Sequence, residues 1–205
     1  MEHGLLLLLS GRVTLPERLR AALGKPAPPD LLAGDLIEGD KGATVAAAVL
    51  VAITRRAEPG VLLTVRREHL RTHAGQIAFP GGRVDPEDTG ATAAALREAE
   101  EEIGLPRSAV SLWGVADPYR TITGYLVTPV LGEVESDLPL LPHEHEVADL
   151  FEAPLAFLLD PANQRAMSAD FRGARRHYYE INWNGRRIWG ATAAMLVNLS
   201  RRLAL

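Results

Sequence analysis

The segment from Gln76 to Leu105 constrains the fold of this chain more than any other. It begins with a short apolar stretch that ends at Pro80-Gly81-Gly82, continues through an acidic loop, and leads to an alanine-rich stretch from Thr89 to Ile103 that Gly104 stops. This order predicts a strand, a loop and a helix. Two glycines directly after a strand permit close approach of the backbone to a ligand, so the loop is a candidate binding site.

The segments around this unit alternate between strand-like and helix-like patterns. Strands are predicted at Thr44 to Ile53, Val61 to Val65, Val110 to Val115, Tyr125 to Glu133, Tyr178 to Trp183 and Arg187 to Trp189, and helices at Pro16 to Leu23, Ala153 to Leu159 and Ala191 to Leu203. The pattern predicts an α+β fold, an α/β/α sandwich with a mixed β-sheet between helices. We expect residues 1–43 to form an N-terminal helix and an irregular arm, and residues 44–205 to form one main domain.

Composition narrows the classes of function that this chain can have. Its 205 residues include no cysteine, which excludes disulfides, cysteine-ligated zinc, iron–sulfur clusters and thiol catalysis and fits a cytoplasmic location. The 22 basic and 26 acidic residues give a net charge of −4, so we expect no nucleic acid or membrane partner. The Leu5 to Leu9 run is too short to span a bilayer. The sequence leaves the oligomeric state open, a homodimer included.

Three glutamates near the end of the predicted helix point to a metal site. Glu98, Glu101 and Glu102 are spaced i, i+3 and i+4, so their carboxylates project from one helix face while Glu100 points away. They repel one another and oppose the helix dipole unless a cation compensates. Oxygen ligands suit Mg²⁺ or Mn²⁺. A solvated acidic face is the alternative, and it is the usual explanation of a glutamate-rich helix end.

These residues resemble the Nudix box, whose pattern is Gly, five residues, Glu, seven residues, then Arg-Glu-U-x-Glu-Glu-x-Gly-U, with U a bulky apolar residue. The second half fits from Arg97 to Leu105, except that Ala99 is small. The first half departs, because Thr89 stands where the pattern has Glu and the glycine lies one residue further upstream. Asp88 or Asp85 is a candidate substitute for the missing acid.

A second motif resembles one branch of that family, the coenzyme A pyrophosphatases. Their pattern is Leu-Leu-Thr-x-Arg, Ser or Ala, three residues, Arg, three residues, Gly, three residues, then Phe-Pro-Gly-Gly. The chain matches it in register, except that Arg67 replaces Ser or Ala, and the segments Glu146-Val147 and Ile188 to Thr192 also look like this branch. The matching residues are Leu62-Leu63-Thr64-Val65-Arg66, Arg71, Gly75 and Phe79-Pro80-Gly81-Gly82.

The resemblance implies hydrolysis of the pyrophosphate of coenzyme A to 4′-phosphopantetheine and adenosine 3′,5′-bisphosphate. It implies Mg²⁺ or Mn²⁺ on the carboxylate cluster and catalytic roles for Glu98 and Glu101. Arg97 is expected to orient these carboxylates by ion pairing. Glu146 is the first candidate for the general base or a further metal ligand, and a surface loop carboxylate is its alternative.

Substrate binding is expected from the segment before the helix, through Arg66, Arg67 and Arg71 and the backbone at Gly81 and Gly82. Scattered solvated arginines are the alternative. Two other functions stay open: a pyrophosphatase for ADP-ribose, NADH or another nucleoside diphosphate derivative, and a catalytically silent nucleotide-binding domain, which the missing Glu at position 89 favours. Trp189 is expected to pack in a hairpin rather than to stack on a base.

Overall fold

The computed structural model describes residues 13–35, 42–69, 74–171 and 174–205. Its largest unit is an eight-stranded mixed sheet with the strand order β3-β2-β1-β7-β5, in which β4 pairs with β1, β6 with β7 and β8 with β2. The strands are β1 Val45–Arg55, β2 Gly60–Arg66, β3 Ile77–Ala78, β4 Gly81–Arg83, β5 Ser111–Val115, β6 Tyr119–Arg120, β7 Tyr125–Glu135 and β8 Val147–Pro154. The parallel pair is β1 with β7, and the other pairs are antiparallel.

Strand β1 lies at the centre of this sheet, and its side chains alternate between two apolar cores. Ala48, Leu50 and Ala52 pack into one core, whereas Val51 and Ile53 pack into the other. A strand with both faces buried reads as a continuous apolar run, which is why the sequence predicted it without difficulty. Its hairpin partner β2 was predicted as well.

Helices cover both faces of the sheet. They are α1 Leu15–Leu23, α2 Ala91–Ile103, α3 Leu155–Leu159 and α4 Ala191–Leu203, with single 3₁₀ turns at Arg107–Ala109 and Pro161–Asn163. Helix α2 packs in the core that contains Ala48, Leu50 and Ala52 of β1. Helices α1, α3 and α4 pack in the core on the opposite face of the sheet. The predicted α+β architecture with a mixed sheet between helices is therefore confirmed.

Two parts of the fold differ from the sequence prediction. The chain from Val147 to Pro154 forms β8 against β2, so the predicted helix from Ala153 begins at Leu155 instead. A second sheet has the order β11-β10-β9, formed by Arg165–Phe171, Ala174–Trp183 and Arg186–Trp189, so the predicted hairpin gains a third strand. Strand β8 obtains its hydrogen bonds from β2, which is distant in sequence, whereas β9 pairs with β10, the next strand in the chain.

The N-terminal helix packs against the main domain. Thr14 and Glu17 form a capping box at its start, and Leu19 is fully buried in the core beneath α4. The predicted division at residue 43 remains a prediction, and the Leu5 to Leu9 run lies outside the described residues. Among the helices that the structure describes, none combines the length and apolar character needed to cross a bilayer.

Candidate active site

Helix α2 presents the three glutamates of the predicted metal site beside the glycine loop. Its alanines pack against the sheet, and Gly104 ends it in the left-handed conformation with φ of 67°. Glu98 and Glu102 lie on the side facing β4, and a Cβ atom added to Gly82 would lie 2.3 Å from Glu98 Oε1. The loop backbone therefore approaches the carboxylates as closely as a glycine allows.

Arg97 holds the acidic side chains of this site in place. Its guanidinium donates to both carboxylate oxygens of Asp88, at 3.2 and 2.9 Å, and to Glu98 and Glu101, each at 3.0 Å. It also donates to the backbone carbonyl of Arg83 at 2.9 Å. These contacts raise the pKa of Arg97, with the hydrogen bond to Asp88 as the main cause. These contacts are compatible with the predicted orienting role of Arg97, which stays a prediction.

Glu102 is the most buried carboxylate of the site, with 5% of its surface exposed. Burial raises its pKa from 4.5 to about 7, against the opposing effects of a hydrogen bond from Gly81 N and the charge of Arg66. The two partners lie at 3.0 Å, from Gly81 N to Oε2, and at 3.4 Å, from Arg66 Nη1 to Oε1. The site thus contains a carboxylate whose charge is under-compensated by protein groups.

Glu98 shows the same excess of negative charge. Burial raises its pKa, Arg97 opposes that rise, and the neighbouring charges of Glu101 and Asp85 add to it. As they stand, no three His, Asp or Glu side chains in the described residues converge closely enough to hold a metal ion. Glu98 and Glu101 are turned onto Arg97 instead. The donor chemistry still fits a hard divalent cation, since crowded, partly desolvated carboxylates are its preferred ligands.

The basic residues of the preceding segment lie next to this cluster. Arg66, at the end of β2, contacts Glu102, and Arg67 donates its backbone N–H to the carbonyl of Glu146 at 3.0 Å. The buried Nε atoms of Arg66 and Arg67 have no hydrogen-bond partner among the described residues. Arg71 lies outside the described residues, so its predicted role stays a prediction.

The loop before β8 closes the other side of the cluster. His143 donates its backbone N–H to the carbonyl of Glu102 at 2.8 Å, and Glu146 follows three residues later with an exposed side chain. The negative charge of Glu146 contributes to the raised pKa of Glu102, which places the two carboxylates in one electrostatic site. Glu100 points away and pairs with Arg107 at 2.7 Å, as the helical spacing predicted.

A cleft of about 490 Å³ opens on the sheet face opposite α2 and begins at the glycine loop. It crosses β1 and β7 and ends against the start of α4. Sequence reasoning missed most of its walls, because they come from separate elements with no shared local pattern. Besides Arg66, Gly81 and Gly82, the lining includes Asp35, Gln76, Arg83, Thr121, Tyr125 and Trp189.

Trp189 was expected to pack in the hairpin, and it does more than that. Its ring meets Tyr178 edge to face, with centroids 5.9 Å apart, and Arg187 lies over it at 4.9 Å. It also lines the cleft, at the end of β11. The side chain of Trp189 therefore packs in the hairpin and also lines the cleft.

Comparison with known proteins identifies the family of this chain. Residues 44–171 match the family profile described as NUDIX domain. The chain belongs to the Nudix family. Proteins named "Uncharacterized Nudix hydrolase NudL" from Escherichia coli O7:K1 (strain IAI39) and Shigella boydii serotype 4 (strain Sb227) are each 46% identical over 160 residues, which is 78% of this chain and 83% of theirs.

Solved structures of Nudix proteins also resemble this chain. The MutT/nudix family protein from Enterococcus faecalis is 14% identical, with a TM-score of 0.49 over 82% of this chain and 65% of that chain. RenU, a Nudix hydrolase from M. smegmatis, is 25% identical, with a TM-score of 0.45 over 60% of this chain and 72% of that chain.

Family membership settles the general chemistry. This chain is a Nudix hydrolase, an enzyme that acts on the pyrophosphate bond of a nucleoside diphosphate derivative, and enzymes of this family generally need divalent metal ions.

The departure of Ala99 from the Nudix pattern has a structural reason. Ala99 is fully buried between α2 and the sheet, in a core where alanines set a close helix-to-sheet distance.

Proposed function

We propose that this Nudix hydrolase cleaves the pyrophosphate of coenzyme A to 4′-phosphopantetheine and adenosine 3′,5′-bisphosphate. The observation that carries the proposal is the arginine-bearing segment from Leu62 to Gly82, which matches the coenzyme A branch in register. The described residues of this segment form most of β2, β3 and the start of β4, and Arg66 lies 3.4 Å from Glu102. The segment that distinguishes the branch thus abuts the hydrolytic box.

The metal site is proposed to consist of Glu98, Glu101 and Glu102, holding Mg²⁺ or Mn²⁺. A divalent ion bound there supplies neutralisation of the diphosphate charge, a lowered pKa for bound water and stabilisation of the leaving oxygen. The raised pKa values of Glu98 and Glu102 support this assignment, because they mark negative charge that protein groups leave uncompensated. For the metal to bind, the side chains of Glu98 and Glu101 must leave their hydrogen bonds to Arg97 and turn towards the ion.

The remaining residues are proposed to position the substrate and move a proton. Arg97 is proposed to orient the glutamates by tying α2 to the loop through Asp88 and the carbonyl of Arg83, bonds that remain when Glu98 and Glu101 turn to the metal. The carboxylate of Glu146 accepts a proton from the attacking water or serves as a further metal ligand, and its electrostatic coupling to Glu102 supports its place in the site.

The phosphate oxygens of the substrate are proposed to meet Arg66, Arg67 and the backbone at Gly81 and Gly82. The buried Nε atoms of the two arginines support this, because a phosphate would give them the acceptor that the described residues do not. Burying such a donor without a partner costs free energy, so a ligand that satisfies it gains affinity. Arg71 is proposed for the same role from its position in the motif.

The test is a substrate panel with purified protein and Mg²⁺ or Mn²⁺. Coenzyme A, ADP-ribose and NADH are incubated separately, and the products are separated by chromatography. We expect adenosine 3′,5′-bisphosphate from coenzyme A at a higher kcat/KM than for the other two. Brisk turnover of ADP-ribose or NADH with no adenosine 3′,5′-bisphosphate would refute the substrate assignment.

The metal assignment is tested with Glu101→Gln against Glu100→Gln. Both replace a glutamate with its isostere in the same helical turn, and Glu100 pairs with Arg107 away from the site. We expect Glu101→Gln to abolish turnover and weaken metal binding measured by calorimetry, with little change in folding. Glu100→Gln should keep both. Full activity in Glu101→Gln would show that the metal lies elsewhere.

A further inference from the structure

The N-terminal arm contributes directly to the wall of the cleft. Residues 31–35 are held on the domain by two clamps. The amide of buried Asn198 exchanges two hydrogen bonds of 2.8 Å with the backbone of Leu32. The backbone of Arg120 donates to the carbonyl of Ala33 at 3.0 Å and accepts from the N–H of Asp35 at 2.9 Å. Residues 31–35 of the arm therefore reach the cleft in a defined conformation.

Asp35 places a carboxylate on this wall, fixed by two donors. Its Oδ1 accepts from the hydroxyl of Tyr119 in a short hydrogen bond, and its Oδ2 accepts from the N–H of Ile122 at 3.2 Å. A carboxylate has about four acceptor positions, so each oxygen retains one. Among the described residues that line the cleft, Asp35 is the only acidic side chain.

The position of Asp35 is remote from the hydrolytic loop. Arg66 extends from β2 and Asp35 packs beside the start of β7, and these two strands lie on opposite sides of β1. Because neighbouring strands are about 4.8 Å apart, the two ends of the cleft are separated by roughly 10 Å. A substrate whose diphosphate lies over the glycine loop therefore reaches Asp35 with a group well away from the phosphorus atoms.

We propose that Asp35 is a specificity-determining residue that accepts a hydrogen bond from an uncharged donor of the substrate and rejects an anionic group at that position. The inference rests on the proposed function for the identity of the donor. In coenzyme A, an amide N–H of the pantetheine arm and the exocyclic amine of adenine share this chemistry. A phosphate there would meet a fixed negative charge in a partly desolvated wall, which is unfavourable.

The test compares three variants of the full chain. Asp35→Asn removes the charge and keeps the shape. Tyr119→Phe removes one anchor of Asp35 and keeps its charge, so it reports a structural role of the contact. Asp30→Asn is the control from the same arm, because Asp30 pairs with Arg201 at 3.4 Å and does not line the cleft.

The measurements are kcat, KM and the inhibition constants of the two reaction products. We expect Asp35→Asn to raise KM about tenfold, the loss expected for a hydrogen bond to a charged group, with kcat within about twofold of wild type. The inhibition constant should rise for one product only. A rise for 4′-phosphopantetheine assigns the pantetheine arm to Asp35, and a rise for adenosine 3′,5′-bisphosphate assigns the adenine. Asp30→Asn should leave these constants within about twofold. Tyr119→Phe should raise them less than Asp35→Asn does, because the N–H of Ile122 still holds the carboxylate.

Equal changes for both products, no change in KM, or a Tyr119→Phe variant that reproduces Asp35→Asn would overturn the proposal. If Asp35→Asn does not fold, Asp35→Glu tests the hydrogen bond by position instead, because it keeps the charge and displaces the carboxylate by one methylene; KM should again rise with kcat within about twofold of wild type, and an unchanged KM would overturn the proposal. Failure of the proposed function is seen separately, as wild-type protein that does not hydrolyse coenzyme A. The same comparison is then made with the diphosphate that wild type does hydrolyse and with its two products.

Discussion

The buried carboxylate of Glu102 predicts an unusual pH dependence of stability in metal-free protein. Its pKa is about 7 in the folded protein against 4.5 for an ordinary glutamate. Between these two values the folded state binds more protons than the unfolded state, so the free energy of unfolding falls as pH rises. The contribution is fully present below pH 4.5 and is lost as the pH rises through about 7.

The size of the effect follows from the same two values. A displacement from 4.5 to about 7 corresponds to about 3 kcal/mol. Because Glu102 is only 5% exposed, solvent screening reduces this free energy only slightly. Asp88 and Asp117 have lowered pKa values through their arginine partners and act in the opposite direction, as pH falls through their lowered values. Measurements of stability between pH 5 and pH 8 therefore report on the groups whose pKa values are raised.

The assay is urea denaturation of wild type and Glu102→Gln from pH 5 to pH 8 in the presence of a metal chelator. The glutamine keeps an acceptor for Gly81 N and cannot ionise, so the variant should gain about 3 kcal/mol relative to wild type across the window. Glu100→Gln, in the same helix and about half exposed, is the control and should follow wild type. A difference between wild type and Glu102→Gln that stays constant with pH would refute the reasoning.

Three further substitutions test the residues that support the site. Arg97→Lys should lower the free energy of unfolding by about 1–3 kcal/mol, because lysine lacks the planar fork that serves several acceptors, and should lower kcat more than KM; unchanged kcat would contradict an orienting role. Gly82→Ala should lower kcat with little change in stability, since its Cβ would lie 2.3 Å from the end of the Glu98 side chain, which can turn aside without moving the backbone. Gly81→Ala should instead destabilise by about 1–3 kcal/mol in the same denaturation assay, because its Cβ would lie 2.4 Å from β1 backbone; equal stability of the two variants would contradict this.

The sequence predicted the elements whose burial pattern is local and missed those that depend on a partner. Strand β1 is buried on both faces, and α4 is buried along most of its length, so their apolar residues are visible in the chain. Strand β8 alternates less clearly and contains Asp149, Glu152 and Pro154. It becomes a strand through its pairing with β2, which sequence periodicity does not report.

The candidate site divides in the same way. Glu98, Glu101 and Glu102 share one helix, so their spacing alone predicts that they lie together. The cleft instead combines Asp35 from the arm with Trp189 from the second sheet. These residues are distant in sequence, and only the packing of α4 and the arm onto the sheet brings them together. A feature of the sequence that could have indicated Asp35 is its place in the part of the irregular arm where glycines alternate with acidic residues.

The departure at Thr89 bears on whether the domain is catalytic. Thr89 is exposed, and the preceding residue, Asp88, supplies an acid whose two oxygens accept from the guanidinium of Arg97 at 3.2 and 2.9 Å. The N–H of Asp85 donates to the same carboxylate at 2.9 Å and fixes the loop. An acidic group is thus retained on Arg97 although its position in the chain has moved by one residue. The missing glutamate was the feature that favoured a silent domain, and the pairing of Asp88 with Arg97 supports the prediction that Asp88 substitutes for it.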